Sequence, residues 1–404
     1  MKVVEKKNLL PFCLVTVLFL LWGIANNMTD TLLSAFKKIM SMSDTQTSLI
    51  QFAFYGSYFC FALPAALYIR KYSYKSGVIL GLLLYACGAI LFFPAAKAAS
   101  YAFYLIAIYI MAGGCSVLET TANPYILAMG APETATRRLN IAQAFNPLGS
   151  ITGILLSKFF ILQDISLYSV SGTYMTLGFV LVAIMVVMLF AKMPEGGDSG
   201  QSDKLGATFR RLFKNKKYVF GVIAQFFYVG AQIGVWSFTI RLTMKELGIV
   251  EAQGATIYLI AIICFSAARF LFTWLMKWFR PSKLLLWAAV GDIVCSAAVF
   301  ALAGTGRACV VFLIAISFFM SLMFPTIYGL ALADIENPDL GGRIGDAKIG
   351  ASGLIMAILG GALLTPLQAM VSDAAGINVS YLVPLVCFVV VLAYALYAVR
   401  AEKA

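Results

Sequence analysis

Histidine is absent from the 404 residues, and charge is scarce: 12% of the side chains are Asp, Glu, Lys or Arg, against 61% hydrophobic. A soluble protein carries roughly 25% charged residues, so this chain in water would expose more hydrocarbon than a monomer tolerates. Without histidine, the commonest metal ligand and the usual proton relay near neutral pH are both missing. The eight cysteines (13, 60, 87, 115, 264, 295, 309 and 387) form no C-x-x-C pair and lie almost entirely inside apolar runs. They read as reduced packing residues, neither a disulfide framework nor a metal site. No cofactor is expected. A cleavable leader is not visible either, because the first apolar run exceeds twenty residues and has no small-residue cleavage site. These absences exclude a soluble enzyme and point to an all-α membrane protein.

What is present is length and apolar runs. The chain is long enough for a dozen helices of about 20 residues each. Spans are expected at 9–36, 47–70, 76–96, 101–130, 138–162 and 172–192, and again at 217–242, 253–279, 283–303, 308–333, 347–372 and 379–400. The longest polar stretch, 194–216, begins rich in Gly, Ser and Asp and ends strongly basic. It reads as a cytoplasmic linker between two six-helix bundles, 1–193 and 217–404.

The net charge of +12 raises the question of nucleic acid, but the basic residues sit in short loops between apolar runs, where topology and anionic lipid explain them. With both termini in the cytoplasm, twenty-two of the thirty Lys and Arg fall on that side and seven on the other; Arg269 lies inside a span. The two halves also repeat. A shift of 206 lays Leu21–Asn26 on Phe227–Gln232, and a shift of 201 lays Pro124 on Pro325. Parallel six-span repeats are the mark of the major facilitator architecture, with its substrate site between the halves near the bilayer midplane.

An ionised side chain at the centre of a span costs roughly 2.5–3.5 kcal/mol even on lenient scales, so each one needs a reason. Asp30 closes Ala25-Asn26-Asn27-Met28-Thr29-Asp30, where the spacings of three and four put Asn26, Asn27 and Asp30 on one side of span 1. It either reaches headgroup water or faces a wet cavity as a proton-exchanging carboxyl; the polar cluster favours the second. Glu119 is too deep in span 4 to reach the surface, has no Lys or Arg on its helix, and is followed a turn later by Asn123 and Pro124. Gln143 and Asn146 share a face of span 5, where interhelical hydrogen bonding is the plainer alternative. Gln225, Tyr228, Gln232 and Trp236 form one stripe on span 7, and Gln51, Tyr55 and Tyr58 a similar one on span 2. Amides beside aromatic rings suit a sugar: hydroxyls take the hydrogen bonds, and the C–H face of the ring packs on an indole or phenol. Arg269 in span 8 either pairs with a carboxylate as a structural lock or lines the inner half of the cavity. Asp292 has no evident role, with Ser296 its expected local partner. Because Asp30 falls opposite Trp236 and Glu119 opposite Met320, proton chemistry is expected in the first half and ring stacking in the second.

These stretches, together with Leu118–Pro124, Leu139–Asn146, Ala224–Gln232 and Phe324–Tyr328, resemble the L-fucose:proton symporter family of the major facilitator superfamily, from about residue 10 to about 395. The resemblance implies that Asp30 and Glu119 are the coupling and substrate-site carboxyls and that Gln143 and Asn146 line the cavity. Asp292 belongs to none of the matching motifs. The full expected substrate set is Asn26, Glu119, Asn123, Gln143, Asn146, Gln225, Tyr228, Gln232, Trp236 and Tyr328. A monosaccharide, L-fucose or a related hexose, would enter the cell with a proton through a monomer in the inner membrane. A glucose/galactose or N-acetylglucosamine permease, coupled to protons or sodium, is the alternative. The amides argue against a proton-driven exporter with its greasier cavity. A membrane enzyme would need a catalytic constellation, and a sensor an output domain.

Overall fold

The computed structural model describes residues 3–39, 44–161, 166–193, 204–333, 335–336, 342–343 and 345–402. The helical side chains at 26, 29–38, 44–49, 51, 158 and 161 lie outside that description. The described residues are helical throughout, without strands. Among the described residues, eleven stretches are long and apolar enough to cross a membrane. The fifth expected span, 138–162, is instead broken into two short helices, Ala135–Gln143 and Asn146–Leu156, and a π-helical turn, Ser157–Ile161.

The chain packs as two compact units. The first comprises Met1–Ala135, Leu148–Thr208 and Glu336–Met356. It holds α1 (Leu9–Ile39), α2 (Asp44–Lys71), α3 (Tyr74–Ala98), α4 (Tyr101–Ala128), most of α6 (Asn146–Leu156), α7 (Leu167–Phe190) and α14 (Asp346–Met356). Sequence sets where several of these begin: Ser73, Ser100 and Ser166 each accept a hydrogen bond from a backbone N–H of the helix that follows. Glycine sets how closely they pack. A Cβ on Gly88 of α3 would lie 2.4 Å from the Met111 nitrogen of α4, and one on Gly149 of α6 would lie 2.0 Å from the Leu20 carbonyl oxygen of α1. Without side chains at these points the backbones meet directly, which is how membrane helices gain packing where no hydrophobic drive exists.

The second unit comprises Thr136–Pro147, Phe209–Ile335 and Ala357–Ala404. It contains α5 (Ala135–Gln143) from Thr136 on, α9 (Lys216–Leu247), α10 (Glu251–Leu275), α11 (Pro281–Ala301), α12 (Arg307–Met320), α13 (Met323–Leu332), α15 (Gly360–Ala375), α16 (Ile377–Ser380) and α17 (Leu382–Ala401). Part of α8 (Leu205–Lys214), inside the expected linker, belongs to it as well. One edge of this unit is tied by Glu246, whose carboxylate accepts N–H bonds from Gly304 and Gly306 and a 2.8 Å bond from the Asn378 amide. The units do not coincide with the contiguous halves read from the sequence. Residues 136–147 come from the first half and pack in the second unit; 336–356 come from the second half and pack in the first.

Two of the membrane stretches break at prolines. Span 5 stops at Gln143 and restarts at Asn146, just before Pro147; span 10 stops at Met320 and restarts at Met323, two residues before Pro325. Proline has no N–H to give to the carbonyl four residues back. Gln143 and Ser321 therefore each carry a carbonyl oxygen that its own helix cannot satisfy. By contrast, α4 runs through Pro124 unbroken to Ala128.

Candidate functional site

In the first unit the site is built on Glu119. It is buried in the middle of α4, and neither carboxyl oxygen finds a hydrogen-bond partner of good geometry. Asn123 stands one turn along within reach, and Tyr58 and Cys115 lie in its electrostatic surroundings. Among the described residues no cation acts on it. A small apolar pocket is lined by Leu18, Phe19, Trp22, Leu118, Ala122 and Glu119 itself. Trp22 was not singled out from the sequence, although a signal existed: Trp22, Asn26 and Asp30 are spaced four apart and so share one face of α1. The side chains of Asn26 and Asp30 lie outside the described residues, as does that of Gln51. Tyr58 is fully buried beside Phe54, while Tyr55 is only partly buried.

In the second unit the expected stripe on α9 divides. Gln225 and Tyr228 are fully buried, whereas Gln232 and Trp236 remain partly exposed. The Tyr228 hydroxyl donates to the Met320 carbonyl at the span 10 break, 3.0 Å away. Trp236 packs edge-on against Phe265, with its indole N–H 3.3 Å from the Ser317 hydroxyl. Both amide atoms of Gln225 lack partners. Tyr328 is fully buried and stacks on Phe324. Gln143 is buried on α5, while Asn146 is partly buried at the start of α6.

Arg269 bonds to two backbone carbonyls, where the lock read from the sequence pairs it with a carboxylate. Its Nη1 donates to the Gln143 carbonyl at 3.0 Å, its Nε donates to the Ser321 carbonyl, and its guanidinium lies 4.6 Å from the centre of the Phe265 ring. One planar cation thus satisfies both carbonyls orphaned by Pro147 and Pro325. Asn140 adds a bond to the Thr326 hydroxyl between the same two spans. Asp292 is buried with both oxygens unpartnered, and Ser296, its expected partner, does not bond to it.

Residues 12–345 match the model of the Major Facilitator Superfamily. Across its whole length the chain is 42% identical to the L-fucose-proton symporter of Haemophilus influenzae, covering 99% of that protein. It is 35% identical to the Escherichia coli L-fucose-proton symporter over 97% of this chain and 93% of the other. The chain belongs to the L-fucose-proton symporter family of the Major Facilitator Superfamily. The fold agrees: the crystal structure of the superfamily transporter FucP in the outward conformation superposes with a TM-score of 0.87 at 34% identity, covering 97% of this chain and 99% of that one. A glucose/galactose transporter of Brucella abortus is also similar, 32% identical over 94% of this chain and 92% of its own length. The transporter is therefore a multi-pass membrane protein of the twelve-span superfamily architecture, with span 5 broken as described.

Proposed function

We propose that this transporter imports a monosaccharide, L-fucose or a close relative, together with a proton. The observation that carries the reading is Glu119: a carboxyl in the membrane interior, without a cation among the described residues, bordering a pocket that Trp22 lines. A bare carboxylate resists burial in a closed site, so protonation must accompany closure. Asp30 is the second coupling carboxyl. Asn123, Gln143, Asn146, Gln232 and Trp236 supply hydrogen bonds and a stacking ring for the sugar. Asn26, Gln225, Tyr228 and Tyr328 complete the candidate set, although Tyr228 must release Met320 before it can serve a ligand. One proton moving with a neutral sugar gains about 2.3 kcal/mol per 100 mV, which supports roughly fifty-fold accumulation. The protein works as a monomer in the inner membrane with both termini cytoplasmic, and it transports without catalysing a reaction.

The similarity to a glucose/galactose transporter keeps a second substrate reading open, and sodium is the alternative coupling ion. Vesicles holding the purified protein test all of these together. L-Fucose should drive alkalinisation of a sodium-free medium and outcompete galactose, glucose and N-acetylglucosamine. Sugar uptake that needs sodium and moves no proton would overturn the coupling; preference for glucose or galactose would overturn the sugar.

A further inference from the structure

The polar stretch between the halves holds a helix that the transport scheme leaves unused. α8 has ten residues, too few to cross a membrane, and it is apolar along one side only. Leu205, Phe209 and Phe213 recur every four residues and so run along one face, while Arg210, Arg211 and Lys214 occupy another. Leu212 beside them is 2% exposed, but Phe213 is 72% exposed and Leu205 37%. The Phe209 and Phe213 rings stack with their centroids 6.4 Å apart. An apolar ridge therefore stands open on a helix that is not itself a span, the kind of surface that marks a site of contact.

Its neighbours in the chain decide what lies against that ridge. Residues 204–217 carry six cations and no acid. Lys204, Arg210, Lys214 and Lys216 are exposed. Only Asn215 separates α8 from α9, whose stretch Lys216–Leu247 is long and apolar enough to cross a membrane. Asn215 is extended, with φ −77° and ψ 99°, and its side chain caps α9 by accepting the Tyr218 N–H at 3.1 Å. The chain therefore leaves the helical path at this residue, and the two helix ends lie within about 7 Å of each other. A helix that turns off the end of a span at that distance lies at the membrane surface.

We propose that α8 is an interfacial helix that binds anionic phospholipid. Leu205, Phe209 and Phe213 enter the boundary between headgroups and acyl chains, and Arg210, Lys214 and Lys216 hold the lipid phosphates. Both attractions are needed: three apolar side chains alone hold a surface weakly, and each basic residue near an anionic leaflet strengthens binding roughly fivefold. A bilayer fits better than an acidic protein segment, because it offers hydrocarbon and phosphate side by side and already lies next to the ridge. Bound in this way, α8 fixes where α9 enters the membrane. This role is independent of the sugar and of the coupling ion.

Amide hydrogen exchange of the whole protein in lipid discs, one copy per disc, tests it. A ten-residue helix is marginal in water, so docking shows directly as slowed exchange of its amides. Exchange over 206–214 should be at least about tenfold slower in discs containing phosphatidylglycerol than in discs of phosphatidylcholine alone. Raising the salt to about 1 M, where screening acts within about 3 Å, should erase the difference in the wild-type protein. That arm needs no variant. Replacing three cations together, Arg210→Gln, Lys214→Gln and Lys216→Gln, should erase the difference as well, and Phe213→Ser should reduce it. Equal exchange in the two kinds of disc, or a difference that survives high salt or the triple replacement, would overturn the proposal. Equal protection in detergent without lipid would show that the chain itself covers the ridge. Equal protection on adding glycerol phosphate to phosphatidylcholine discs would show that free phosphate suffices. Either result would overturn the proposal too.

Discussion

Arg269 illustrates how one side chain can serve two helices. Pro147 and Pro325 each strip a helix of one donor, and the guanidinium fork replaces both, at Gln143 and Ser321. Lysine offers the same charge from a single point and cannot span both carbonyls. Arg269→Lys should leave one buried carbonyl unsatisfied, at a cost of about 1–3 kcal/mol. The expected result is a lower midpoint of thermal unfolding without ligand and a raised KM for sugar, since the Gln143 segment is then loosely held. Thermal unfolding and uptake on the same preparation check both. Glu119 is the sharper functional residue. An amide keeps one acceptor but loses charge assistance worth roughly 1–2 kcal/mol to a sugar hydroxyl, and it cannot cycle a proton. Glu119→Gln should therefore bind sugar about tenfold more weakly and fail in net uptake while equilibrium exchange persists. Normal affinity with normal pH dependence would remove Glu119 from both roles. The sequence marks Glu119 as exceptional because it is an acid in hydrocarbon. It leaves Arg269 undecided, because its partners lie 126 and 52 residues away.

At the scale of elements, close approach and helix termini carry the argument. Gly149 sits where any side chain would strike the Leu20 carbonyl of α1. Gly149→Ala should destabilise the first unit by about 1–3 kcal/mol through overpacking, read as a lower unfolding midpoint in detergent. The start of α14 is held by Glu336, whose carboxylate accepts N–H bonds from Gly345 at 2.7 Å and Ala347 at 3.2 Å. Burial pushes this carboxyl above its ordinary range, and the opposing pull of those N–H groups does not cancel it. A carboxyl raised in the fold favours the protonated state there, so its contribution to stability is greatest below about pH 4.3 and declines as pH rises through the raised value. Glu336→Gln has no proton to lose. Its unfolding midpoint should fall less steeply than that of the wild type as pH rises from 4 to 7, and parallel slopes would contradict the assignment.

For the whole molecule, the exchanged segments are decisive. Residues 136–147 supply Gln143, Asn140 and the Thr136 side chain that meets Gly329, all inside the second unit. Residues 336–356 supply Lys348, whose ammonium lies 4.9 Å from the Tyr74 ring centre, and Tyr74 in turn stacks on Tyr125 of the first unit. Each unit is therefore incomplete without a piece of the other half of the chain. Residues 1–193 and 217–404 expressed separately should be degraded or inactive, whereas co-expression should restore uptake. Either half accumulating alone with native-like thermal unfolding would refute this.

By itself the sequence determined the solvent, the number of spans and the class of molecule. Apolar runs of about 20 residues cannot rest anywhere but in a bilayer, and the few polar residues inside them announce where function lies. Tertiary structure alone decided which partners those residues meet. Tyr228 of the α9 stripe gives its hydroxyl to the Met320 carbonyl, and Trp22 looks like any apolar anchor but lines the Glu119 pocket. It also decided the composition of the two units, which the linear division at 194–216 does not reveal. The physical reason is common to all of these. Hydropathy and helical spacing are local and can be read over a few turns, whereas an orphaned carbonyl or a buried acid is answered by whichever donor packing brings near.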